Sequence, residues 1–501
     1  MDSIIKDYIN THDVTPEMVM YLSQLELVAK RDARLASLIV KELEDQRCHD
    51  LKLIASENFS SLSVQAAMGN LLTDKYAEGF PFHRFYAGCA NVDEIEADAC
   101  EKAKQLFGAE HAYVQPHSGA DANLCAYWAI LSTRVQIPAL EEMGVTNVSE
   151  MSREDWMRIR KLLHDQKLLG LDYYSGGHLT HGYRQNISAQ LFDAYSYTVD
   201  KETGLLDYEA IRRQAEEVKP LILLAGYSAY PRAINFRTLS EIAHSVGAVF
   251  MVDMAHFSGL VAGGVFTGEF SPFPWADVVT TTTHKTLRGP RGGMILCKEE
   301  FAEAVDKGCP LVIGGPLPHV IAAKSVCFTE ALSPEYKEYA AQIVKNSKAM
   351  AEEFIKGGVP VLTGGTDNHL MLVDVSSFGL NGRMTETLLR ECGITLNRNA
   401  LPFDVNGPWY TSGLRVGTAA VTTLGMKECE MREIADIISL VIKNARPVKL
   451  TKGEKAGQLS RNKAKCPAEV QEEAKNRVKA LLERFVLYPE IDLDYLKAKF
   501  N

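Results

Sequence analysis

The sequence predicts a mostly parallel α/β fold, and three observations predict it. Short apolar, partly β-branched runs recur: Leu168-Leu-Gly-Leu, Pro220-Leu-Ile-Leu-Leu-Ala-Gly, Ala248-Val-Phe-Met-Val-Asp and Val278-Val-Thr-Thr-Thr-Thr. Runs of that length and character read as strands buried on both faces. A segment of helical spacing, 236–246, separates two of them, and strand–helix alternation is the pattern of a parallel sheet. Polar residues suited to chemistry stand at the carboxyl ends of these runs, where open parallel sheets bind ligands.

The composition bounds the rest. A chain of 501 residues, 46% hydrophobic, buries a large core and divides into two or three domains. A formal net charge of −10 and the lack of a dense basic run disfavour nucleic acid and anionic membranes as partners. No apolar stretch is long enough to span a bilayer. The ten cysteines show no C-x-x-C pair and no metal-like spacing. The N-terminus has neither a basic n-region nor a long apolar h-region, so the reading is a cytoplasmic protein with reduced thiols.

Taken in order, residues 1–50 read as amphipathic helices. Such an arm packs on a neighbouring subunit or covers its own core. The loop 75–88 combines Tyr76, Glu78, Arg84, Phe85 and Tyr86, and loops so furnished tend to carry function. A helix is expected over 90–107 and a short strand over 112–116. That strand runs into His117-Ser118-Gly119 and a further helix. Ser-Gly at a helix N-terminus is an anion site or an ordinary N-cap. Pro, Gly and Asn break up 132–167, which reads as a surface insertion holding one helix capped by Ser152.

His178 and His181 lie in a Gly-framed turn, Gly176 to Gly182. With no Cys or carboxylate at ligand spacing, they make no metal set. A histidine aimed by glycines suits the face of a planar ring instead. Ser228 and Asp253 end the next two strands, and His256 follows. His284-Lys285 ends the threonine run, ahead of the turn that carries Arg291. A desolvated lysine near other cations is nucleophilic enough for a Schiff base, although a lysine capping a strand looks the same. The region 324–357 is mainly helical. From 359 a smaller α+β domain begins, with Arg415 among small residues, free to take a carboxylate or pair at the surface. After 447 a charged linker leads to a last helix at 470–485. The expected layout is an arm at 1–50, a large domain at 51–330 and a small domain at 331–501.

A Schiff-base lysine, a strand-end Asp, an imidazole, a Ser-Gly helix start and a remote Arg are the parts that pyridoxal phosphate and an amino acid require. At these residues the chain resembles the serine hydroxymethyltransferase family of fold-type I pyridoxal-phosphate enzymes. The matching motifs include Leu-Ile-Ala-Ser-Glu-Asn at 53–58, Lys-Tyr-Ala-Glu-Gly at 75–79, Gln-Pro-His-Ser-Gly at 115–119 and Gly-Gly-His-Leu-Thr-His-Gly at 176–182. Val-Asp-Met-Ala-His at 252–256, Thr-Thr-Thr-Thr-His-Lys-Thr-Leu at 280–287 and Thr-Ser-Gly-Leu-Arg-Val-Gly-Thr at 411–418 follow in family order.

The resemblance implies roles. Lys285 binds the cofactor aldehyde, Asp253 its ring nitrogen, and His178 stacks on the ring, with His256 and Ser228 near the ring hydroxyl. Ser118, Gly119 and His284 hold the phosphate, helped by Tyr76 and Gly315 of the partner subunit. Arg415 and Ser56 bind the substrate carboxylate. Glu78 and Tyr86 flank the one-carbon unit, and Thr282 and Arg291 lie beside the lysine. Tyr173, Gly177, Leu179 and Asn399 fall at the folate positions. The implied reaction moves the hydroxymethyl group of serine to tetrahydrofolate in a homodimer or dimer of dimers. Phe85, Ala120, Tyr173, Cys309 and the insertion depart from the family pattern. A folate-independent aldolase or racemase and an idle scaffold are the rival readings.

Overall fold

The computed structural model describes residues 4–450 and 457–500. Its centre is a seven-stranded sheet of β1 (His111–Tyr113), β2 (Lys167–Leu171), β3 (Asp193–Tyr197), β4 (Ile222–Gly226), β5 (Val249–Asp253), β6 (Val278–Thr282) and β7 (Gly293–Cys297). The spatial order is β1-β7-β6-β5-β4-β2-β3. Only β7 runs against its neighbours. The sequence reading did not contain β3 or β7. Both were missed for a local reason: β3 is polar and half exposed, and β7 follows the lysine turn without a helix between them.

The apolar runs are buried on both faces, as parallel strands require. Ile222 and Leu224 face one core, with Met251, Val278 and Ile295. Leu223 and Ala225 face the other, with Phe250, Val252 and Val279. Helices cover each face, so the sheet's carboxyl edge is left for a site.

A smaller three-stranded antiparallel sheet is built from β8 (Leu370–Asp374), β9 (Asn397–Asn399) and β10 (Gly413–Gly417), ordered β8-β10-β9. It has its own core, including Met371, Leu414, Ile438 and Leu481. Side chains tie it to the large sheet. Arg232 meets Asp367 at 3.0 Å, and Asn368 Nδ2 donates to the Tyr227 hydroxyl at 2.9 Å.

The N-terminal helices Pro16–Ala29 and Ala33–Glu44 bury Met18, Leu22, Val40 and Leu43 against Ile491, Leu496 and Phe500 at the other end of the same chain. Arg47 closes that junction by donating to the carbonyls of Leu487 and Ile491 at 2.7 and 2.9 Å. The segment 132–167 holds the expected helix, Arg153–His164, with Ser152 accepting from the Asp155 N–H. It also holds Ile137–Glu142.

The tail corrects the sequence reading. Arg446–Lys449 and Leu459–Lys465 pair as a hairpin where a linker was expected, and residues 451–456 of that linker lie outside the described residues. A further helix, Leu493–Phe500, follows Ala468–Arg484. Among the described residues no helix is long and apolar enough to cross a membrane.

Candidate active site

The carboxyl edge of the large sheet opens into a cavity of about 350 Å³. Lys285, Asp253, His178, Ser228, Ser118 and Gly119 line it, with Ser56, His256, Thr282, His284, Arg291 and Arg415. Sheet topology brings these together: β4, β5 and β6 are adjacent and parallel, so Ser228, Asp253 and Lys285 leave the sheet on one side.

Burial holds the Lys285 pKa down to about 8; Asp253 opposes this shift, while Arg415 and Arg291 add to it. The backbone beyond the amine is fixed, since Asn58 Nδ2 donates to the Lys285 carbonyl at 2.9 Å. Thr282 donates to the carbonyl of Ala255 at 3.3 Å.

Burial alone would raise the Asp253 pKa. Hydrogen bonds from His181 and Asn123 hold it well below the usual carboxylate range instead. His181 Nε2 donates at 3.2 Å, Asn123 Nδ2 at 2.9 Å and the Ala255 N–H at 3.0 Å. In space Asp253 does complete a cluster with His178 and His181, their ligand atoms lying within 4.8 Å. This corrects the expectation that no carboxylate joins the pair. The lone pairs are already committed, however. His181 Nδ1 accepts from the His178 N–H, and His178 Nδ1 accepts from the Thr180 N–H, both at 3.3 Å. The cluster is a hydrogen-bonded support for the carboxylate. His178 itself is neutral, because burial pushes its pKa down to about 4.

Ser118 caps the helix Gly119–Leu131, accepting from the Asp121 N–H at 3.2 Å and donating to the Asp121 carboxylate at 2.9 Å. The first-turn N–H groups beyond it have no intrahelical acceptor, as at any helix start, and such a start suits an anion. Gly119 is required by contact: a Cβ there would lie 2.7 Å from Thr282 Cγ2. His284 Nδ1 is buried without a hydrogen-bond partner, and burial pushes that imidazole's pKa down to about 3. An orphaned ring nitrogen beside a helix start suits a phosphate group.

Arg415 stands on β10 and crosses to the large sheet. Its Nη1 donates to Ser228 O and Oγ at 2.7 and 3.1 Å, and its Nε to Asn397 Oδ1 at 3.1 Å. The other end of the guanidinium has no acidic partner among the described residues. His256 Nδ1 and His369 Nε2 are 3.1 Å apart, and burial keeps both rings neutral.

A second cavity of about 320 Å³ adjoins the first and shares His178, Ser228 and Arg415 with it. Tyr173, Gly177, Leu179 and Asn399 all line it.

Four expected residues lie elsewhere. Tyr76, Glu78, Tyr86 and Gly315 form a cluster of their own. The Tyr76 and Tyr86 rings are 4.9 Å apart, and a Cβ on Gly315 would be 3.6 Å from Tyr76 and 3.8 Å from Glu78. None of the four lines the Lys285 cavity.

The comparisons with known proteins bear directly on this arrangement. The family model described as serine hydroxymethyltransferase matches residues 28–159 and 156–438. The chain belongs to the serine hydroxymethyltransferase family. It therefore has the fold-type I architecture expected from the motifs. The serine hydroxymethyltransferase of Treponema pallidum (strain Nichols) is 59% identical over 503 residues, covering 100% of this chain and 87% of that protein. The enzyme of Salinispora tropica is 52% identical, covering 95% and 99%. That of Chlamydia trachomatis serovar D is 50% identical, covering 95% of each. The two stretches matched by the serine hydroxymethyltransferase model meet at 156–159, within the 132–167 segment expected to be an insertion.

The sequence reading missed several supporting residues. Asn123 and His181 hold Asp253, Thr180 accepts from Asn123, and Asn397 holds Arg415. His181 stood within the 176–182 motif without a role there and Asn123 lay beyond the 115–119 motif, because a side chain's partner more than 50 positions away leaves no local signal. Tyr227 and Asn368, which bind the two sheets together, were missed for the same reason.

Proposed function

We propose that the chain reversibly transfers the hydroxymethyl group of L-serine to tetrahydrofolate, giving glycine and 5,10-methylenetetrahydrofolate, with pyridoxal 5'-phosphate as resident cofactor. The observation that carries the reading is the lining of one cavity by a lysine, an ionised aspartate, a helix start and a half-free arginine. The bound cofactor supplies an aldehyde for an amine and an electron sink for the substrate carbanion.

The chain's residues do the rest. Lys285, its amine depressed to about 8, has a reactive unprotonated fraction near neutral pH. Asp253 keeps its negative charge to hold a proton on the ring nitrogen. His178 would lie against the ring, with His256 and Ser228 near the ring hydroxyl, and Ser118, Gly119 and His284 would hold the phosphate. Arg415, with Ser56, takes the substrate carboxylate on its free edge, which fixes the Cα substituents relative to the ring. Thr282 lies beside the lysine.

Glu78 handles the proton of the hydroxymethyl oxygen, with Tyr86 beside it. Both lie off the cavity within one chain, and Tyr76 and Tyr86 are 57% and 46% exposed. This supports a site completed by the 75–88 loop of a second copy, in a homodimer or dimer of dimers. Tetrahydrofolate occupies the second cavity, against Tyr173, Gly177, Leu179 and Asn399. All ten cysteines are free thiols, which supports a cytoplasmic setting.

The test is an absorbance spectrum of the cofactor-loaded protein, titrated with glycine and then tetrahydrofolate. A visible band altered by Lys285→Ala supports the cofactor assignment. A red-shifted band that grows only when folate joins glycine supports the transferase. A response to glycine that ignores folate favours an aldolase or racemase. No visible band after added cofactor overturns the enzyme reading.

A further inference from the structure

Lys324 lies on the helix Pro318–Ala331, only 1% exposed, and no step above uses it. Its Nζ donates to three backbone carbonyls: Val114 at 2.6 Å, Pro116 at 3.0 Å and Gly293 at 2.8 Å. Three acceptors take all three ammonium protons, so this geometry holds the charged form. Burial pulls the other way, lowering the pKa to about 7, with Glu96 offsetting part of that shift.

The three carbonyls belong to the two segments that bracket the anion-binding turn. Val114 and Pro116 lie on the chain running from β1 to Ser118. Gly293 opens β7, and its N–H donates back to the Pro116 carbonyl at 2.9 Å. Packing there leaves no slack. A Cβ on Gly293 would lie 2.3 Å from the Ser118 carbonyl, and one on Gly292 would lie 2.6 Å from Lys324 Cε.

We propose that Lys324 is a positioning residue for the phosphate turn: it clamps the carbonyls of Val114, Pro116 and Gly293 so that the Ser118–Gly119 helix start is set before the ligand arrives. Preorganised donors bind more tightly because the ligand does not have to order them. An apolar side chain of similar volume would take this donor from the Val114 and Gly293 carbonyls, leave Pro116 with the Gly293 N–H alone, and release the turn.

The inference rests on the pyridoxal-phosphate reading, and its test separates the two. Cofactor-free wild type, Lys324→Met and Lys324→Gln are titrated with pyridoxal 5'-phosphate and with pyridoxal, which lacks the phosphate, and the visible band is followed. Lys324→Met is expected to weaken pyridoxal phosphate by about tenfold or more, with pyridoxal changed by less than about twofold. Lys324→Gln, which keeps a neutral donor, is expected to fall between Lys324→Met and wild type. Equal weakening of both ligands means a general structural role and overturns the proposal, as does unchanged affinity. Should Lys324→Met not fold by circular dichroism, Lys324→Gln decides by the same phosphate selectivity. Absence of the band in wild type would refute the cofactor reading itself.

Discussion

His181 donates from Nε2 to the Asp253 carboxylate at 3.2 Å, while its Nδ1 accepts from the His178 backbone N–H at 3.3 Å. One contact fixes the tautomer that the other needs. His181→Phe removes a donor to the charged form of Asp253, so that carboxyl protonates at higher pH. The sign follows from the lowered native pKa: the ionised form is favoured above it and lost as pH falls through it. Cofactor affinity should drop about tenfold near neutrality and further in acid. Titration at several pH values checks this, and a loss that is flat with pH would contradict it.

Lys285 is held at about 8 chiefly by burial, with Asp253 opposing and Arg415 and Arg291 assisting. Only the free amine attacks an aldehyde. Mixing cofactor-free protein with pyridoxal phosphate should give a band-formation rate that rises with pH around a midpoint near 8. Arg291→Met should move that midpoint upward. Stopped-flow absorbance reads both, and a midpoint near that of an exposed lysine would refute the assignment.

Arg84 is the buried hub beneath Glu78. Its side chain is 3% exposed and bonds Asp93 at 2.8 Å and Glu96 at 2.7 Å. It also donates to the carbonyls of Ala77 and Gly79, one on each side of Glu78, at 2.9 and 3.1 Å. Arg84→Met strands two buried carboxylates, so unfolding free energy should fall by about 3–5 kcal/mol. Denaturant melts measure that loss. Arg84→Met with Glu96→Gln should recover part of it, because one of the stranded charges is gone.

Asn399 Nδ2 donates to the Ala400 carbonyl at 2.7 Å, leaving Oδ1 to accept from a ligand in the second cavity. Asn399→Ala should raise KM for tetrahydrofolate about tenfold. Binding of pyridoxal phosphate and glycine should stay as in wild type. Steady-state kinetics and the glycine titration separate the two, and a matching loss for glycine would place the residue elsewhere.

The strands that carry the site were legible because each announces itself locally. The run Val278–Thr282 and the run ending at Asp253 read as buried strands by composition alone, and the chemically apt residues stand at or just beyond their ends. β3 was not legible, because its DAYSY sequence is polar and half buried at a sheet edge. β7 was not legible as antiparallel, since direction depends on the turn after Lys285 and not on the strand's own residues. The hairpin of Arg446–Lys449 and Leu459–Lys465 hid behind charged residues that face solvent on an exposed two-stranded ribbon.

The sequence by itself determined the parallel α/β class, the family motifs and the residue types at the strand ends, since these follow from short-range pattern and local chemistry. Only the tertiary structure decided which of those residues share a cavity. Arg415 reaches Ser228 across 187 positions, and Asn123 reaches Asp253 across 130. It also decided which residues do not: Glu78 and Tyr86 lie off the Lys285 cavity within one chain. The physical reason is that a side chain's charge and reach depend on what burial removes and which partners remain. Those are set by sheet order and packing, which no single stretch of chain contains.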